Sequence, residues 1–194
     1  MLQSTARFPD ISHFSADVQF HDIKNAGCPL VITKCTEGSH YIDSTYQDFS
    51  QRIRSVGLLL GAFLYEDAAP EGPQVAHFFN TAHLRSGDIQ PILDAEASGL
   101  TRAETEGALE DLERRGYEPI LYCNVSFYRD VLGSPTRWTL WIAGYNTLLP
   151  TLPVGITLFA WQYSESGKCP GVSGPCDMNR LYIPLAQLHN FLIK

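Results

Sequence analysis

The chain has 194 residues, 44% of them hydrophobic and 18% charged, which suits a single domain with a substantial buried core. A formal charge of −7 with no basic cluster excludes nucleic acid as a natural partner, because phosphate binding needs gathered Lys and Arg. No apolar stretch reaches the length of a membrane span, and no basic stretch followed by an apolar run opens the chain, so no secretory signal is read at its start.

Short apolar runs alternate with polar, amphipathic stretches. Strands are expected over residues 8–12, 30–35, 58–65, 91–96, 119–123, 140–143 and 158–163. Several are almost continuously hydrophobic, as parallel strands covered on both faces must be. Residues 45–56 carry Tyr46, Phe49, Ile53 and Val56 at helical spacing. Residues 73–85 carry Val75, Phe78, Phe79 and Ala82 in the same way. After Leu100, Thr101 and Glu104 read as a capping box and Gly116 as a stop. The order is β-α-β-α-β-α-β-α-β followed mostly by β, an α/β domain built on a parallel sheet. Periodicity leaves a shortened barrel and an open doubly wound sheet equally open. The first strand is followed by Ser12-His13-Phe14-Ser15-Ala16, which is no glycine-rich phosphate loop.

Residues 90–96, Gln-Pro-Ile-Leu-Asp-Ala-Glu, are the most informative segment. A strand puts positions i and i+2 on one face, so Asp94 and Glu96 leave it side by side. Asp10, Glu37 and Asp177 also stand at ends of apolar segments. In a barrel such ends meet at one mouth. Acids collected there suit cleavage of a bond that builds positive charge, such as a glycosidic bond. Glu96, longer and further out, is the expected proton donor, and Asp94 the expected charge-stabilising partner. Asp10 and Asp177 complete the expected set. Tyr65, Tyr122, Trp141, Tyr145 and Trp161 fall near strand ends and are the expected sugar-packing rings, whereas Phe63, Phe78, Phe79 and Phe159 read as core. The histidines show no ligand spacing, so neither a metal nor a cofactor is expected. Of five cysteines, Cys28, Cys35 and Cys123 read as core residues. Cys169 and Cys176 bracket a turn-rich loop and are a candidate disulfide.

Seven short pieces, in order, resemble the glycoside hydrolase family 25 lysozymes, the muramidases. They are Asp10-Ile11-Ser12, Thr33-Lys34-Cys35-Thr36-Glu37-Gly38, Gly61-Ala62-Phe63, the 91–96 segment, Pro119-Ile120-Leu121-Tyr122, Leu140-Trp141-Ile142-Ala143-Gly144-Tyr145, and Trp161-Gln162-Tyr163 with Gly171, Gly174 and Asp177-Met178-Asn179. The resemblance spans residues 8–181 within one catalytic domain, 1–194. It implies a TIM-like (β/α)5(β)3 barrel that hydrolyses the β-1,4 bond between N-acetylmuramic acid and N-acetylglucosamine in peptidoglycan, without a cofactor and as a monomer. In that family the D-x-E glutamate is the acid, here Glu96, and the substrate's own N-acetyl group is a candidate nucleophile oriented by the residue at Asp94. Phe63 departs from the family's usual tyrosine and Leu64 from its common histidine, with Tyr65 as a stand-in for the lost hydroxyl. The family's early Q-G pair is missing. A non-catalytic saccharide-binding protein on the same barrel is the alternative. A chitinase-like hydrolase ranks lower, because Ile92 stands where its motif has an acid.

Overall fold

The computed structural model describes residues 6–15, 17–133 and 136–194. Of the opening segment read for a leader, residues 1–7, the first five lie outside them, as does Ala16 of the first loop. In chain order the elements are β1 (Arg7–Ile11), α1 (Phe20–Asn25), β2 (Leu30–Glu37), β3 (Tyr41–Ile42), α2 (Tyr46–Ser55), β4 (Leu59–Tyr65), α3 (Glu71–Ala82), β5 (Ile92–Asp94), α4 (Arg102–Arg114) and β6 (Ile120–Asn124). A π-helical turn (Phe127–Leu132), β7 (Thr139–Ala143), β8 (Leu158–Gly167), β9 (Cys176–Leu181) and a 3₁₀ turn (Leu185–Phe191) complete the chain.

The sheet runs β1-β9-β8-β7-β6-β5-β4-β2, and β1 pairs with β2, so eight strands close on themselves. The short β3 hangs on the outer edge of β2. Within the closed ring every pairing is parallel except those of β9, which is antiparallel to both neighbours; β3 pairs antiparallel with β2. Helices or helical turns follow β1, β2, β4, β5 and β6, and none separates β7, β8 and β9. This is the (β/α)5(β)3 barrel that the resemblance implied.

The capping box at α4 forms as expected: Thr101 Oγ1 accepts from the Glu104 amide at 3.3 Å, and Glu104 Oε2 accepts from the Thr101 amide at 2.8 Å. The observed α3 starts two residues before the expected helix and stops at Ala82, where His83 adopts a left-handed φ of 45°. The expected order places a helix between the first two strands, where the short α1 lies, although no residues were assigned to it; the strands β3 and β9 were not expected.

The barrel interior is filled by Phe8, Ile32, Ile92, Ile120, Phe159, Ala160 and Leu181, with Tyr122 and Trp141 above them. Below, Leu188 and Phe191 of the 3₁₀ turn seal the end opposite the mouth; the Phe191 ring lies 5.5 Å from that of Phe159. Two outer clusters fill the space between sheet and helices. Gly61 is the one position on β4 where the interior needs an absent side chain. A Cβ there would lie 2.8 Å from Ile32 Cγ1 and 3.4 Å from Ile92 Cδ1. These two isoleucines meet across the gap that glycine leaves. Gly61→Ala therefore overpacks the barrel, with an expected loss of about 1–3 kcal/mol. Urea unfolding should show a lower midpoint with an unchanged slope.

Candidate active site

The upper ends of the strands surround a groove of about 320 Å³ lined by Asp10, Asp94, Glu96 and Asp177, with Lys34, Phe63, Tyr65, Tyr122, Trp141 and Gln162 among its walls. Strand register explains the gathering. Asp10 on β1 lies directly opposite Asp177 on antiparallel β9, so both side chains leave on one face. Tyr65, Asp94, Tyr122 and Trp141 are register partners across β4, β5, β6 and β7, one inward-facing row. The strand at 92 ends at Asp94, two residues earlier than expected. The Ala95 amide still donates to Tyr122 O at 2.9 Å, which carries the ladder on. Asp94 is buried at the floor and Glu96 stands above it, open to solvent at the mouth.

A β-bulge on β2 adds the groove's cation. Lys34 pairs with Phe63 and Thr36 with Leu64, so Cys35 is the extra residue. The bulge puts Lys34 and Glu37, three apart, on the same face. Lys34 Nζ donates to Glu37 Oε2 at 2.5 Å and sits 4.7 Å from the centre of the Tyr65 ring.

Asp10 is held by two amides. Gln162 Nε2 donates to its Oδ2 at 3.0 Å and Asn179 Nδ2 to the same oxygen at 2.7 Å. Other side chains fix which end of each amide faces the acid. Trp141 Nε1, a donor only, binds Asn179 Oδ1 at 2.8 Å. The hydroxyls of Tyr122 and Tyr145 both donate to Gln162 Oε1, at 2.9 and 3.0 Å.

All four acids titrate above the ordinary carboxylate range. Burial pushes Asp10 up to about 6, with the Asn179 and Gln162 amides pulling it back. Burial, then the charges of Asp10, Glu165 and Glu96, push Asp177 up to about 8. At neutral pH Asp177 thus keeps its proton and turns it toward Asp10. Asp94 is raised strongly by burial and next by Glu96 and Asp10, against the Lys34 charge. Its Oδ1 is buried without a hydrogen bond among the described residues. Glu96 is raised by burial within the concave mouth and by Asp10, while the Tyr122 hydroxyl and Lys34 pull it down. Burial favours the proton on both Asp94 and Glu96, so the two acids compete for it, whereas the sequence expectation placed it on Glu96. The difference between them is depth: Asp94 lies beneath the water that reaches Glu96. Behind them Glu66 is fully buried and neither oxygen meets hydrogen-bond geometry. Burial takes it to about 8, so it adds no charge at neutral pH.

Of the five expected sugar-packing rings, Tyr65, Tyr122 and Trp141 line the groove. Tyr145 is half exposed beyond β7, lies outside the groove lining and touches the site through Gln162. Trp161 does not reach it: the ring is 3% exposed, packs in the outer core and donates Nε1 to Gly144 O at 2.8 Å. Strand parity explains this, since Gln162 faces inward and Trp161 must face out. Phe63, expected in the core, instead lines the groove. Lys34, Gln162 and Asn179 were missed as site residues; the available signal was a polar side chain on the inward parity of an apolar strand. The expected Cys169–Cys176 disulfide is not formed, and all five cysteines are free. Cys176 opens β9 opposite Gly167, while the Cys169 thiol lies against that of Cys28 and points at Pro170 O, 3.5 Å away.

A parallel barrel with buried acids and aromatic walls at one mouth has the build of a saccharide-processing barrel. Comparison with known proteins agrees: the profile of "Glycosyl hydrolases family 25" matches residues 9–172, and the chain belongs to this family. It is 32% identical over 176 residues to the autolytic lysozyme of Clostridium acetobutylicum, an alignment that takes in 88% of this chain and 54% of that protein. The chain thus spans about half the length of this relative. The bacterial lysozyme from Streptomyces coelicolor superimposes with a TM-score of 0.87 at 25% identity, covering 97% of each chain. A family 25 glycosyl hydrolase from Bacillus anthracis shares the fold, with a TM-score of 0.88 at 19% identity over 100% of this chain and 96% of that one.

The raised acids make stability depend on pH with a defined sign. An unfolded aspartate ionises near 3.9, as general reference values have it. Asp177 does so near 8 in the fold, so folding is penalised progressively from about pH 4 up to pH 8. Asp177→Asn, which still offers Asp10 a donor, should melt several degrees above the wild type at pH 8. At pH 4 the two melting curves should nearly coincide.

Proposed function

We propose that this protein is a muramidase that hydrolyses the β-1,4 bond between N-acetylmuramic acid and N-acetylglucosamine in peptidoglycan. The observation that carries the reading is the pairing of Asp94 at the floor with Glu96 at the mouth, inside a ring-lined groove that also holds Asp10 and Asp177. Family membership and the named lysozyme relatives support it. The substrate is a wall polymer, so the place of action is the cell wall.

Glu96 is the general acid. It is the carboxyl a leaving oxygen can approach from solvent, and its titration is raised toward neutrality. Asp94 offers Oδ1, the buried oxygen without a protein partner, to the substrate's acetamido N–H. That bond favours the ionised form of Asp94 and leaves the shared proton on Glu96. Glu96 then protonates the glycosidic oxygen, the C1–O bond breaks, and the acetamido carbonyl oxygen closes on C1. Asp94 stabilises the positive charge spread over ring and acetamido group. Water, giving its proton to the Glu96 carboxylate, attacks C1, the bond from C1 to the acetamido oxygen breaks and its electrons return to the acetamido group, and Glu96 is restored as the acid. Asp10, held ionised by two amides, adds negative potential beside the reacting carbon.

Glu96→Gln keeps the shape and removes the proton, so lysis of purified walls, followed as loss of turbidity, should fall roughly 10²–10⁴-fold. Reducing-end analysis of wild-type digests should find muramic acid. N-acetylglucosamine ends, or wall binding without lysis by the wild type, would overturn the assignment.

A further inference from the structure

The turn after β1 holds a large apolar side chain in water. Phe14 is 85% exposed, yet it borders the same groove as Asp10 and Asp177. Burial does not hold it there; polar anchoring of its neighbours does. The Ser15 amide donates to Ser12 O at 2.8 Å and the Phe14 amide to Ser12 Oγ at 3.3 Å, which closes the turn. The His13 ring lies 3.9 Å from the Phe14 ring, centre to centre. His13 is tied in turn to Asp43, whose side chain is fully buried: its amide donates at 3.1 Å, and Nδ1 lies 2.7 Å from the same carboxylate oxygen. Burial works against the charge on Asp43, but the Thr45 hydroxyl and His13 outweigh it and hold this carboxyl below the usual range. Tyr41 closes the row, its hydroxyl 3.3 Å from His13 Nδ1.

The other strongly exposed apolar residues, Leu148 and Val154, lie in the loop between β7 and β8 and line no part of the groove. Among the described residues, Phe14 alone combines near-complete exposure with an anchored backbone, a ring neighbour in His13 and continuity with the acids. An exposed, pre-positioned ring loses little freedom when a flat apolar surface covers it. The C–H face of a pyranose is such a surface.

We infer that His13, Phe14 and Tyr41 form a saccharide-stacking subsite beside the cleavage point, with Phe14 as the platform for a sugar ring outside the bond being cut. Phe14 is a specificity-determining residue for long glycan strands, and His13 positions it through Asp43. This inference rests on the glycan-cleaving reading above.

The test uses the full chain with soluble peptidoglycan glycan fragments of two defined lengths, four sugars and at least eight. Phe14→Ala should raise KM for the long fragments about three- to tenfold, the loss of one aromatic packing contact converted at about 1.4 kcal/mol per tenfold. It should leave kcat unchanged, and leave KM for the four-sugar fragment within twofold. Phe14→Trp should restore the long-fragment KM. Equal KM values for wild type and Phe14→Ala on long fragments, or a rise of the same size on both lengths, would overturn the subsite. A wild type that cleaves neither fragment would instead overturn the glycan-cleaving reading itself.

Discussion

The structure turns on crowding of like charge. Four carboxyl groups, with the exposed Glu165 beside them, share one mouth with a single lysine, and water reaches them from above. Ionising all of them in that space is unfavourable, so the barrel distributes protons instead of counter-ions. Asp10 is the acid the protein is built to keep charged, because two oriented amides converge on one of its oxygens. Asp177 stores the proton next to it. Asp94 and Glu96 share the rest, with depth favouring one and access favouring the other. Acid strength here is set by position along the groove axis more than by residue type.

The amide clamp binds the site to the core. Trp141 and Tyr122 are interior residues whose rings pack edge to face, with centroids 4.5 Å apart, above the hydrophobic layers of the barrel. Their polar atoms end the hydrophobic interior and begin the site by fixing Asn179 and Gln162. An amide that could flip would present its oxygen to Asp10 and repel it. A donor-only indole removes that option for Asn179.

Much of this was legible in the chain itself. The barrel strands from residue 30 to residue 143, the two-residue β3 excepted, announced themselves because barrel strands are buried on both faces, and α4 because its cap is local chemistry. The D-x-E pair was legible because two-residue periodicity survives any strand register. What escaped notice depends on distant partners. Segment 176–181, Cys-Asp-Met-Asn-Arg-Leu, reads as polar because Asp177 and Asn179 face a polar mouth; only its pairing with β1 and β8 makes it a strand. Gln162 and Asn179 were legible as motif pieces but not as an electrostatic device, since their roles exist only once Asp10 stands between them. Trp161 was misread because its ring invited a role that its parity denied. The cysteine loop was judged by sequence distance, whereas packing set Cys169 against Cys28, 141 positions away along the chain.

The antiparallel placement of β9 has a consequence for the order in which the protein comes into being. Asp10 emerges from the ribosome well before its opposing strand, with Asp177 and Asn179. Until that last strand docks between the first and the eighth, the ring of strands is open, the first acid lacks an oriented amide, and the groove has no far wall. The groove is therefore complete only once β9 has followed β1 into the ring: a chain ended before residue 176 carries the D-x-E pair but no assembled centre around it.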